Sequence, residues 1–135
     1  MDNFPTKKYG VIYADPPWQF KLRSDKGKDR SPEKHYPVLS LTDICRLPVD
    51  TITKDNAVLL MWVCDPMLDQ AFKVIDAWGF KFKTVGFTWA KTNRKKLGFF
   101  TGLGYWTRGN PEMCLLATKG RPKRKAMDVA QLVVA

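Results

Sequence analysis

Tyr9-Gly10-Val11-Ile12-Tyr13-Ala14-Asp15-Pro16-Pro17-Trp18 is the stretch whose reading decides the fold. Val11, Ile12 and Tyr13 are strand formers in a run too short for a helix. Pro16 and Pro17 end any ladder, because neither has an N–H to donate, and Pro17 pushes Pro16 toward an extended conformation. Asp15 is therefore expected at the carboxyl end of a buried strand. That is where ligands bind in open α/β sheets.

A carboxylate followed by a rigid turn suits substitution at a weakly nucleophilic planar amine. The exocyclic amine of a nucleobase has its lone pair delocalised into the ring. Asp15 and the Pro16 carbonyl could both accept its N–H groups, pinning the nitrogen and aiming its lone pair at an electrophile. Trp18 would offer a face on which a flipped-out base stacks, at about 1–3 kcal/mol per base. The bland alternative is an ordinary turn with a tryptophan behind it.

Outward from the turn, Gln19 to Pro37 shows no apolar periodicity and carries Lys21, Arg23, Lys26, Lys28, Arg30 and Lys34. A loop this long in a compact domain is usually functional. It reads as a phosphate-contacting flap over a flipped base or as a solvated insertion. Ser40 is a good N-cap for a short helix through Leu47, stopped by Pro48. Ala57 to Cys64 is a continuous apolar run, the pattern of a strand buried on both faces in a parallel sheet. Asp65 is then expected to cap a helix with Pro66 in its first turn. Met67, Ala71, Val74, Ile75 and Trp78 share its core face, and Gly79 closes it.

Phe80 to Lys91 and Glu112 to Thr118 read as strands, expected to form an antiparallel pair at the sheet edge. Asn93 to Asn110 connects them, with Phe99, Phe100, Tyr105 and Trp106 interleaved among glycines and with Arg94, Lys95, Lys96 and Arg108. Those aromatics suit either nucleic-acid contact or a satellite core beneath the loop. The glycines make no phosphate-binding fingerprint, since no tight strand-to-helix turn surrounds them. Lys119 to Lys125 is a basic patch or a solvated turn. Val129 to Val134 begins another apolar stretch.

Composition bounds the function. The 135 residues suit one domain with a modest core, and 44% apolar with 13% aromatic content is globular rather than disordered. No segment approaches the roughly 18 apolar residues of a membrane span, and the N-terminus lacks the apolar core of a signal peptide. A cytoplasmic protein is expected. Cys45, Cys64 and Cys114 are odd in number and far apart, which suits free thiols. With His35 the only histidine and no close cysteine pair, a metal site is not expected. Twenty-three Lys and Arg against thirteen Asp and Glu give a formal charge of +10, which favours a polyanionic partner such as DNA.

Asp15-Pro16-Pro17-Trp18 resembles the signature of the DPPW-type adenine N6-methyltransferases, the family of the messenger-RNA adenosine methyltransferase catalytic subunit. Its short bacterial and phage branch methylates DNA. The similarity continues through His35-Tyr36-Pro37, Leu60-Met61-Trp62-Val63, Ala77-Trp78-Gly79-Phe80, Trp89-Ala90-Lys91-Thr92-Asn93, Gly102-Leu103-Gly104-Tyr105-Trp106 and Glu112-Met113-Cys114. The resemblance implies an α/β, Rossmann-like class I methyltransferase fold in permuted order, with a mostly parallel sheet and an antiparallel edge hairpin. It implies S-adenosyl-L-methionine as cofactor and DNA as partner, with RNA as the alternative substrate.

By the same resemblance, Asp15, Pro16, Pro17 and Trp18 are the catalytic set, and Asp15 and Pro17 border the donor. Tyr36, Glu112 and Arg108 bind the base, and Lys91-Thr92-Asn93 gives structural or substrate support. Glu112 could instead pair with Arg108 or Lys119. The segment that carries most donor contacts in the family is not found in residues 1–135, so this is expected to be an incomplete single domain holding the target-base half. Such a chain would bind the donor weakly or not at all, with an oligomer or a partner chain completing the sheet beside Asp15. The competing class is a non-catalytic, basic nucleic-acid-binding fragment or accessory subunit.

Overall fold

The computed structural model describes residues 4–19 and 38–135. Five strands form one sheet: β1 (Tyr9–Ala14), β2 (Thr53–Val63), β3 (Lys81–Ala90), β4 (Pro111–Lys119) and β5 (Leu132–Val134). Two helices, α1 (Leu41–Arg46) and α2 (Leu68–Ala77), lie between the first three strands in sequence. The spatial order is β1-β2-β4-β3-β5. β1 runs parallel to β2 and β3 parallel to β5, while β4 is antiparallel to both β2 and β3. Four strands therefore share one direction and β4 alone opposes them. This is an α/β domain with a mixed sheet.

The expected antiparallel pair is present, but not at the edge. β4 lies in the middle of the sheet, hydrogen-bonded on both sides. Its run Met113-Cys114-Leu115-Leu116-Ala117 has the apolar continuity of an interior strand, with Cys114, Leu115 and Ala117 buried. β1 and β5 are the edges; β1, paired only with β2 among the described residues, is not the buried strand expected and leaves Val11 and Tyr13 exposed.

β2 also departs from the sequence reading. Its residues alternate: Ala57, Leu59, Met61 and Val63 are buried, whereas Val58, Leu60 and Trp62 are half-buried. One face packs beneath the helices, and the other lines a cavity. In the core, Ile12, Leu59, Met61 and Leu115 from the sheet meet Ile44 of α1 and Ala71, Val74 and Ile75 of α2.

The helix signals act as read at most ends. The Ser40 side chain accepts from Asp43 N at 3.1 Å, satisfying one of the free amides of α1. Asp65 does not cap α2; Asp65–Met67 is a short 3-10 turn after Cys64, with no side-chain cap. Met67, Ala71, Val74, Ile75 and Trp78 are all buried, as their spacing predicts. Trp78 Nε1 donates to Ile44 O at 2.9 Å and ties α2 to α1. At Gly79, φ is +85°, and Phe80 N donates back to Ile75 O at 3.0 Å. That is the left-handed glycine close of a helix. Among the described residues no helix is long and apolar enough to cross a membrane.

Candidate active site

The four co-directional strands put the ends of β1, β2 and β3 and the start of β4 on one rim of the sheet. Asp15-Pro16-Pro17 follows β1, Cys64-Asp65 follows β2, and Lys91 follows β3. β4 enters at the same rim, with Trp89 opposite Glu112 and Val63 opposite Met113. Chain direction alone thus gathers Asp15, Lys91 and Glu112 from distant parts of the sequence.

The turn after Asp15 is pinned from several directions. Trp18 N donates to Pro16 O at 2.8 Å, and Leu39 N donates to Pro17 O at 3.0 Å. Trp18 Nε1 donates to Trp62 O at 3.0 Å. Trp18 is only 4% exposed and belongs to the core cluster. Its ring therefore has no open face on which a base could stack, which corrects the stacking role expected of it. The tryptophan anchors the turn to the end of β2 instead. Pro16 O keeps one lone pair after accepting from Trp18 N, so it can still accept a substrate N–H.

Asp15 itself is exposed, and its carboxylate accepts no hydrogen bond from the described residues. Partial desolvation, followed by the charge of Glu112, holds its carboxyl above the ordinary value of 3.8. Glu112 is paired neither with Arg108 nor with Lys119. Its Oε1 accepts from Lys91 Nζ at 2.6 Å, and the same ammonium lies 4.9 Å from the centre of the Trp89 ring. Lys91 is thereby fixed by both a carboxylate and an aromatic face.

Beside this rim, on the face away from the helices, lies a cavity of about 340 Å3. Tyr13, Trp62, Phe87, Trp89 and Cys114 contribute to its wall. Trp62 Nε1 donates to Tyr13 OH at 2.7 Å, and the Trp62 and Trp89 rings meet edge to face with centres 6.2 Å apart. Burial, then the nearby Asp15 charge, pushes the Cys114 thiol up to about 11, so it stays protonated at neutral pH. Among the described residues no three His, Cys, Asp or Glu side chains converge as metal ligands.

Of the residues singled out from sequence, Asp15, Pro16, Pro17 and Glu112 come together at this rim. Tyr36 and the basic residues of the preceding loop lie outside the described residues. Arg108 is exposed on the connection between β3 and β4 and joins no ion pair among the described residues. That connection also exposes its aromatics, Trp106 to 92%, so they form no satellite core. Sequence spacing alone does not group the cavity aromatics, although Phe87 and Trp89 stand two apart on β3 and so share a face.

The fold and the rim define an α/β domain whose ligand end presents a fixed carboxylate turn beside an aromatic cavity. Residues 9–133 match the MT-A70 family, and the chain belongs to it. It is 34% identical to a Type II methyltransferase, M.MunI, from Mycoplasma sp over 96% of this chain and 60% of that protein. It is 27% identical to the human N(6)-adenosine-methyltransferase catalytic subunit METTL3 over 86% of this chain and 18% of that protein. An Arabidopsis thaliana MT-A70-like N(6)-adenosine-methyltransferase is 28% identical over 94% of this chain and 17% of its own length. The chain thus spans less than two thirds of each of these relatives.

Proposed function

We propose that this domain handles the target base in methyl transfer from S-adenosyl-L-methionine to the N6 amine of adenine, with DNA as the substrate. The observation that carries the reading is the meeting of Asp15 and Glu112 at the strand ends beside an aromatic cavity. The 34% identity to a protein named as a Type II methyltransferase supports DNA over RNA. The four co-directional strands with one antiparallel insert support a Rossmann-like arrangement.

The Asp15 carboxylate, unpartnered among the described residues, has the chemistry both a cationic donor and a neutral amine require: an anionic acceptor with lone pairs. Asp15 and Pro17 would border the donor, which when bound supplies an electrophilic methyl group. Asp15 and the Pro16 carbonyl would accept the two N–H groups of the adenine amine and hold its lone pair toward that methyl. Pro17 shapes the turn, and Trp18 holds it rigid from below. Glu112 faces the base edge, and Tyr36 is assigned to the base by family resemblance. No strong base is required, because the amine loses its proton after attack.

In the protein that carries this sequence, Asp15→Ala is expected to lower N6-methyladenine formation in DNA at least hundredfold with the fold intact. The readout is label from methyl-tritiated donor, with circular dichroism as the fold control. Activity retained within tenfold would remove Asp15 from the reaction.

A further inference from the structure

The rim opposite Asp15 carries a second hollow, of about 310 Å3, lined by Gly79, Lys81, Lys83, Thr118, Lys119, Gly120 and Arg121. Four of its seven wall residues are cationic, and none of the four joins an ion pair among the described residues. On most surfaces such cations are interspersed with acids; here they converge from two strands and a turn.

Their convergence has local causes. Lys81 pairs across the sheet with Thr118, and Lys119 is the last residue of β4. The register between β3 and β4 slips between Phe82 and Thr84, so Lys83 is the extra, bulged residue. Lys83, two residues from Lys81 on β3, shares the wall of the same hollow. After β4, Gly120 takes φ +66°, and any side chain on it would collide with Asp55 O and Asn56 Oδ1. Arg121 N then donates to Asn56 Oδ1 at 2.8 Å, fixing the backbone of that arginine against the start of β2. Gly79, which closes α2, completes the wall with its own positive φ. Two conformationally special glycines, the alternation of β3 and a tether thus assemble one concentrated positive charge.

We propose that this hollow binds the phosphodiester backbone of the nucleic acid whose base is presented at the Asp15 rim. The two rims are separated by the length of β3, ten residues at about 3.3 Å each, or about 30 Å. That distance is roughly nine nucleotide steps of B-form DNA at 3.4 Å per step. The site therefore acts only on substrates long enough to reach both ends of the sheet. It positions and retains the polymer and carries no sequence information. The inference builds on the nucleic-acid reading above, but its test needs neither donor nor methyl transfer.

The test is fluorescence anisotropy with the full chain, measured from 50 to 300 mM salt on labelled 24-mer and 6-mer DNA duplexes. The variant is Lys81→Gln/Lys83→Gln/Lys119→Gln/Arg121→Gln, with Lys83→Gln/Lys119→Gln as the milder form should the fourfold change unfold. Each lost phosphate contact lowers the slope of log affinity against log salt by about 1. The fourfold variant is expected to lose about 3 to 4 from that slope on the 24-mer, the double variant about 2. The 6-mer, too short to bridge the two rims, should bind the unaltered chain at least about tenfold more weakly than the 24-mer. The same arms run with RNA duplexes identify which polymer is held, and the loss on either supports the site. An unchanged slope on both 24-mers, 6-mers bound as tightly as the 24-mers, or no binding of either 24-mer by the unaltered chain would overturn it. If the slopes fall as expected while Asp15→Ala leaves methyl transfer intact, this site stands and the assigned chemistry falls.

Discussion

Replacing Trp18 separates an anchor from a stacking platform. Its side chain is 96% removed from solvent, since 4% remains exposed, and its indole N–H is bound to Trp62 O at 3.0 Å. An indole buries about 200 Å2, which at about 25 cal/mol per Å2 corresponds to about 5 kcal/mol of transfer free energy. Measured Trp→Ala costs in cores fall at about 3–5 kcal/mol, and the lost hydrogen bond is included in that range. Trp18→Ala should therefore remove at least about a fifth, and at the low end of the range all, of a typical 5–15 kcal/mol stability. Trp18→Phe keeps most of the apolar volume but orphans the Trp62 carbonyl, for a loss of about 1–2 kcal/mol.

Urea denaturation followed by far-UV circular dichroism reads both values, provided the slope of the transition is unchanged. At about 4 °C per kcal/mol, Trp18→Phe should melt about 4–8 °C lower. Its affinity for adenine-containing DNA, measured well below its melting point, should stay within twofold. A stacking residue would behave in the opposite way. A Trp18→Ala variant within about 0.5 kcal/mol of the parent, with DNA affinity lowered tenfold or more, would refute the anchor.

Two further predictions follow from the rim. Because folding raises the Asp15 pKa, its stabilising contribution is full below pH 3.8 and is lost as pH rises through the folded value. Asp15→Asn should thus raise the urea midpoint at pH 7 and lose that advantage near pH 3. Removing the Lys91 cation leaves Glu112 unbalanced, so Lys91→Met should move the acid limb of methyl transfer to higher pH; an unmoved limb would separate the pair from Asp15. Cys64 and Cys114, whose thiols burial pushes up to about 11, should resist iodoacetamide at pH 7.5 until urea unfolds the chain. Rapid native labelling at either, located by peptide mass spectrometry, would contradict that burial.

The parts of the fold legible from sequence were those set by local chemistry. Ser40 ahead of α1, the five-residue core face of α2 and Gly79 at its end all follow from helical spacing and capping. The strand ending at Asp15 was legible because two prolines cannot continue a ladder. What escaped was set by partners far along the chain. The central position of β4 depends on pairing with both β2 and β3, and only its five-residue apolar run hinted at it. The inward turn of Trp18 needs Trp62 as a hydrogen-bond partner 44 residues away, so composition made it look like a surface platform. The Lys91–Glu112 pair joins two strands across 21 residues, and the nearer arginine and lysine were the natural guesses. Family resemblance named Glu112 for the site without revealing what holds it there.

The most direct measurement is the affinity of the chain for a thymidine oligonucleotide carrying one central adenine, against the same strand with purine in its place. Purine lacks only the exocyclic amine. Fluorescence anisotropy at pH 7 needs no methyl donor, and the backbone contribution is common to both strands. A hydrogen bond to a charged acceptor contributes about 1.5–3 kcal/mol, so the adenine strand should bind at least about tenfold more tightly. Asp15→Ala should shrink the difference to the share left to the Pro16 carbonyl while leaving the purine strand's affinity unchanged. Equal affinities for the two strands, or a preference undiminished by Asp15→Ala, would contradict the assignment of this rim to the adenine amine.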